Sequence, residues 1–257
     1  MSEPLPRDAP QLLAAARRDG RLADLPLHLL RDRAAAQRFQ AAAVGALGGT
    51  RRGYKIGATS TAVQRRLGCR GPFFGPVLGE HLLDDGVAFP LVPGILGLEC
   101  EFGFRLGRDL PAAGEPLDIT AVRNAVAECC AALEIVGRRV PATVPLDEAS
   151  SIADYGLDVA VIWGRPIPGW DRLDLAATRV RAELDGTEVA AGTGALVLGH
   201  PLNALLWLAS ELAAGGERLR AGEIVMTGTC TGIVPVAPGQ RFAGCFADGP
   251  PVVVRLA

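Results

Sequence analysis

The segment GILGLECEFGFRL, residues 94–106, constrains this chain more than any other. It is short, apolar and aromatic, and it is bounded by Pro93-Gly94 before and Gly107 after, which reads as a β-strand. Side chains alternate across a strand, so Glu99 and Glu101 share one face while Leu98, Cys100, Phe102 and Phe104 share the other. Two outcomes stand open. If the glutamate face meets water, the alternation is ordinary strand patterning. If that face is buried, two adjacent carboxylates repel, and one must take up a proton unless a cation lies between them. A hard divalent ion such as Mg²⁺, which prefers carboxylate oxygens and keeps positions for water or substrate, answers the second case. Glu134, in the apolar run CAALEIVG, is the best third carboxylate.

Composition narrows the function classes. Of 257 residues 49% are apolar, enough for a large core, and the net charge is −2. The basic clusters end at RRG (51–53) and GRR (137–139), which argues against a nucleic-acid partner. The N-terminal MSEPLPRDAPQLL lacks the basic-then-apolar order of a secretory signal, and the apolar tract 195–209 is interrupted by His200, Pro201 and Asn203 and too short to span a bilayer. The six cysteines form no CxxC pair. The expectation is a soluble cytoplasmic protein with reduced thiols and no membrane partner.

Along the chain, residues 9–48 read as two helices, a small helical N-terminal part over 1–50. Residues 51–257 read as a strand-rich catalytic domain of α/β (α+β) class. RRGYKIG is a strand and STAVQRRLG a short helix. A helix capped at Asp118 or Thr120 runs into a strand by 137, with Cys129 and Cys130 on the helix. A strand falls near 158–163, and Asp185-Gly186 turns a hairpin. HPLNALLWLASELAAGG is an amphipathic helix started at His200 and ended by glycines.

In one order the chain carries GYKIGATS, LECEFGFRLGRDLP, ALEIVGRR, GHPLNALLWLA and AGEIVMTGTCTGIVPVAPGQ. Together these resemble the fumarylacetoacetate hydrolase superfamily, in its hydratase/decarboxylase branch, from about residue 25 to the C-terminus. The resemblance implies a mixed β-roll with flanking helices. It implies that Glu99, Glu101 and Glu134 hold Mg²⁺ or Mn²⁺, with Lys55 of GYKIG beside the substrate. Glu80, in GPVLGEHLL, and Asp154, in SIADYG, are the acid/base candidates. Thr229 and Thr231 of TGTCTG are expected near a substrate carboxylate, although such a loop can equally be a turn whose hydroxyls cap backbone groups.

The chain departs from the family at one motif. Hydratases of this type read A-D-N-A-S where this chain has Ala153-Asp154-Tyr155-Gly156-Leu157, so Tyr155 and Leu157 are expected to reshape the substrate pocket. The implied activity is metal-assisted addition of water to a 2-hydroxy-2,4-dienoate, a small 2-oxo/enol acid. The alternatives are a 2-oxo-enedioate decarboxylase, an acylpyruvate C–C hydrolase with water activated by His28 or Glu80, and a catalytically silent paralogue. The implied assembly is a homo-oligomer, dimer or higher, with a pathway partner enzyme as a further possible associate.

Overall fold

Local chemistry starts and stops the helices. In the computed structural model, which describes residues 5–247 and 249–257, helix α1 (Ala9–Asp19) ends at Gly20 in the left-handed conformation. The first four residues of the N-terminal stretch read above lie outside the described residues. The Asp32 carboxylate accepts from Ala35 N–H and caps α2 (Arg33–Leu47). Strand β1 (Arg51–Gly57) precedes α3 (Thr61–Leu67), capped by Ser60. Then come β2 (Phe73–Leu78), β3 (Leu82–Asp84), β4 (Ala88–Phe89) and β5 (Ile95–Leu106).

Asp118 caps α4 (Ile119–Ala125), which passes directly into β6 (Val126–Gly137). Cys129 and Cys130 therefore lie on a strand, not a helix. The Ala- and Glu-rich run has helical propensity, but pairing with β5 along its whole length overrides it. An Asp147/Ser150 capping box starts α5 (Glu148–Ala153), a helix not expected from sequence. Next are β7 (Asp158–Pro166), β8 (Arg179–Leu184) and β9 (Thr187–Thr193), the last two joined at Asp185-Gly186, both with positive φ as a type I′ hairpin requires. His200 Nδ1 accepts from Leu202 N–H and caps α6 (Pro201–Ala214). Strands β10 (Ile224–Thr229), β11 (Arg241–Phe246) and β12 (Val252–Leu256) complete the chain.

The strands form a mixed β-roll, as expected. One sheet runs β2-β1-β10-β5-β6-β7-β3, with β1/β10 and β3/β7 parallel and the rest antiparallel. The second runs β4-β12-β11-β8-β9. Leu98, Cys100, Phe102 and Phe104 of β5 face the second sheet and α6, and Phe102 meets Phe246 edge to face at 5.2 Å. The run Gly194–Ala214 is apolar enough to cross a membrane by length and composition. Its α-helical part has only 14 residues, short of the ~20 a span needs, and buries Leu202, Leu205, Leu208 and Leu212 in this core.

A second cluster joins the N-terminal helices to the remainder. Leu13, Leu25, Leu27, Phe39 and Ala43 pack with Phe73, Val140, Ile152 and Tyr155. Within it Arg17 of α1 is bound to Asp158 at the start of β7, Nη2 to Oδ2 at 2.8 Å, with both side chains buried. Charges taken out of water must be paired in this way.

Candidate active site

The β5–β6 ladder creates the site by register. Glu99 pairs across the strands with Glu134, and Glu101, two residues along, projects from the same face beside Thr229 of β10. Carboxylate oxygens of Glu99, Glu101 and Glu134 all lie within 4.8 Å of one another. The second reading of the strand pattern therefore holds: Leu98, Cys100, Phe102 and Phe104 face a core, and the opposite, glutamate face is buried too. Glu101 and Glu134 are fully buried and Glu99 is partly so.

Lys55, on β1, reaches the same face. Its Nζ lies 2.9 Å from Glu134 Oε1 and donates to the Gly156 carbonyl at 2.7 Å. Gly228 N–H donates to Glu101 Oε2 at 2.8 Å. Glu101 Oε1 accepts no hydrogen bond, and beyond the Lys55 ion pair neither Glu134 oxygen has a donor among the described residues.

The electrostatics follow. Burial, then Glu134, pushes Glu99 up to about 8, against the pull of Lys55 and a hydrogen bond with Thr229. Burial, then Glu134 and Glu99, drives Glu101 well above the carboxylate range. Burial likewise raises Glu134, while Lys55 opposes it. For Lys55, burial favours the neutral amine, but Glu134 and Glu101 outweigh it and the ammonium is stabilised. Three carboxylates against one ammonium leave two formal negative charges, and the unpartnered buried atoms of this cluster are all oxygens. That donor set fits a hard divalent cation, held by Glu99, Glu101 and Glu134.

The other expected site residues divide. Thr229 touches Glu99, and its hydroxyl oxygen accepts from Thr231 N–H (3.2 Å) and Gly232 N–H (2.7 Å), so it shapes the loop beside the cluster. Thr231 Oγ1 accepts from Cys100 N–H at 3.2 Å, which ties that loop to β5. Asp154 is buried but committed: its two carboxylate oxygens accept from Arg139 N–H and Nε–H, each at 2.6 Å. The Tyr155 ring turns away from the glutamates into the second core, and its hydroxyl donates to the Ala43 carbonyl. Leu157 is buried with φ of 69°. Glu80 lies on a 3-10 turn (Gly79–His81) against Gly49 and His81, nearly half exposed. It makes no hydrogen bond or ion pair with the cluster among the described residues. His28 lies on another 3-10 turn (Leu27–Leu29) among the N-terminal elements.

Sequence reasoning missed Arg17, Arg139 and the Gly156 carbonyl. One signal for Lys55 went unused: it is the sole lysine in a chain with 25 arginines. A chain that meets every other need for a cation with arginine keeps one compact ammonium, and buries it.

The profile of the fumarylacetoacetate (FAA) hydrolase C-terminal family matches residues 83–256. The chain belongs to the fumarylacetoacetate hydrolase family. Within this family it is 36% identical over 200 residues to 2-keto-4-pentenoate hydratase of Paraburkholderia xenovorans (strain LB400), covering 77% of this chain and 72% of that one. It is 34% identical over 251 residues to 2-keto-4-pentenoate hydratase 2 of Dechloromonas aromatica (strain RCB), covering 92% of each. The solved 4-oxalocrotonate decarboxylase from Pseudomonas putida G7, complexed with magnesium and adipate, superposes with a TM-score of 0.85 over 100% of both chains at 26% identity.

Proposed function

We propose that this chain is a hydro-lyase that adds water to a 2-hydroxy-2,4-dienoate, giving a 4-hydroxy-2-oxo acid. The observation that carries the reading is the buried cluster of Glu99, Glu101 and Glu134 with the Lys55 ammonium against it, in a chain about one-third identical to 2-keto-4-pentenoate hydratases. A divalent cation held by the three glutamates, Mg²⁺ or Mn²⁺, would supply Lewis-acid polarisation of the substrate 2-oxygen and a template for binding.

The chain's own groups do the rest. Lys55 keeps its proton and sets a positive charge beside the 2-oxygen, where negative charge develops. The dienol ketonises: the 2-hydroxyl proton leaves and a proton arrives at C5. Water then adds across C3–C4, oxygen to C4 and hydrogen to C3. The Thr229 hydroxyl, held in place by the Thr231 and Gly232 N–H groups that donate to it, is assigned to the substrate carboxylate. Asp154 is assigned a positioning role through Arg139. The division into a helical part (1–50) and a catalytic part (51–257), cytoplasmic residence, homo-oligomeric assembly and association with a pathway partner belong to the same reading.

A second reading, decarboxylation of a 2-oxo-enedioate, is favoured by one observation, the full-length superposition on 4-oxalocrotonate decarboxylase. One assay separates the two. Freshly generated 2-hydroxypenta-2,4-dienoate is followed by loss of dienoate absorbance with Mg²⁺ and with EDTA, and a 2-oxo-enedioate is followed by CO₂ release. Metal-dependent loss of dienoate with a 4-hydroxy-2-oxo product supports the hydratase. CO₂ release with no dienoate turnover overturns it in favour of the decarboxylase.

A further inference from the structure

Tyr155, Gly156 and Leu157 have φ of 54°, 68° and 69°, three consecutive residues in the left-handed region. Side-chain-bearing residues seldom adopt it, and a run of three persists only where its surroundings enforce it. Here the enforcement is visible on both sides. Arg139 binds both carboxylate oxygens of Asp154 and donates through Nη2 to its carbonyl at 2.8 Å. The Tyr155 ring packs against two guanidinium groups, Arg17 at 4.6 Å and Arg139 at 5.4 Å from its centroid, and both of these donate to the Asp158 carbonyl. Arg17 is itself held by Asp158. On the other flank β2 comes so close that a Cβ on Gly75 would stand 2.2 Å from the Tyr155 carbonyl oxygen.

The turn delivers one polar group to the site, the Gly156 carbonyl, which accepts from Lys55 Nζ. Its backbone also lies along the lysine stem, where a Cβ on Gly156 would be 3.3 Å from Lys55 Cδ. The ammonium faces three carboxylates on one side and this carbonyl on the other. Without the carbonyl, the net pull is toward the carboxylates.

We propose that the Arg17–Arg139–Tyr155 cluster positions the Lys55 ammonium, by fixing the backbone turn whose Gly156 carbonyl holds Nζ. This rests on the role given to Lys55 under the proposed function. Arg17 belongs to α1, so the N-terminal helix takes part in placing the lysine as well as covering a core. Tyr155 thus acts through the backbone and not by lining the pocket.

Lys55 is the only lysine, so ¹⁵N-lysine labelling of the full chain yields a single Nζ resonance. That resonance is compared in wild type, Tyr155→Ala, Tyr155→Leu, Tyr155→Phe and Phe39→Ala, without metal and with Mg²⁺, alongside Tm and the kinetics of dienoate hydration. Leu fills the core but offers no ring face to the guanidinium groups, which keeps the test available if Ala fails to fold. Phe39 lies in the same cluster and serves as a stability control. Loss of the ring is expected to move or broaden the Nζ resonance and lower kcat at least ~10-fold with KM within about twofold, since small misplacement of a catalytic group is costly. Phe should recover both. Phe39→Ala should lower Tm but leave the resonance in place. An unchanged resonance in Tyr155→Leu, or an equal fall in kcat in Phe39→Ala at matched Tm, overturns the proposal. A Lys55→Met chain with undiminished turnover would instead remove the role of Lys55, while the resonance of the Tyr155 variants, which keep the lysine, would still report on the clamp.

Discussion

Glu99 and Glu134 stand directly opposite each other on adjacent strands, a like-charged pair where cross-strand neighbours ordinarily carry complementary charge. Burial of that pairing demands a cation between the carboxylates or a proton on one of them, and Lys55 balances one of the three carboxylates at most.

The metal-free protein should lose stability as pH rises. Glu99 is raised from an ordinary 4.5 to about 8, and Glu101 and Glu134 are raised in the same direction. Between those values the folded chain holds protons that the unfolded chain has released, so each unit of pH favours unfolding; below the unfolded value the effect is absent. Melting in EDTA is expected to show a Tm that falls from pH 5 to pH 8. Mg²⁺ at 100 times its Kd should add about 2.7 kcal/mol at pH 8. A Tm that rises over that interval in EDTA would contradict the account.

Glu99→Gln removes one of the three like charges. Activity is expected to fall by more than the roughly 100-fold that loss of an outer-shell metal partner can cause. The metal-free Tm at pH 8 should hold or rise, because repulsion across the ladder is relieved. Calorimetric titration with Mg²⁺ and a melt in EDTA check the two halves.

Arg139→Met takes the guanidinium from the buried Asp154 carboxylate and leaves it the backbone N–H of residue 139 alone. Breaking one side of a buried pair costs about 3–5 kcal/mol. Urea unfolding should show that loss, with part of it recovered when Asp154→Leu is added.

Gly75→Ala puts a methyl group where the Tyr155 carbonyl lies. Overpacking of this kind costs about 1–3 kcal/mol. Unfolding midpoints measure the cost, and kcat should fall with KM nearly unchanged if the turn gives way and not the strand.

Features written within a few residues were legible in the sequence. The Glu99/Glu101 spacing, the Asp118 and His200 caps, the Asp185-Gly186 turn and the stop at Gly20 each depend on local periodicity or on a hydrogen bond closed nearby. The β6 run misled at Cys129-Cys130, because its propensity is helical while its long-range partner is a strand. Alternation in β5 likewise could not tell a solvated face from a covered one, since both produce the same pattern.

By itself, then, the sequence determined which side chains share a face, where helices begin and end, and that one ammonium was kept among many guanidinium groups. Tertiary structure alone decided that Glu134 and Lys55 meet Glu99 and Glu101, and that Glu80 lies apart at Gly49. It also decided that Tyr155 points away from the pocket it was expected to line. The physical reason is that register and coverage come from pairing between segments far apart in the chain. A side chain's direction at positive φ is set by what packs around the turn, here Arg17 and Arg139, and neither is a near neighbour of Tyr155 in sequence.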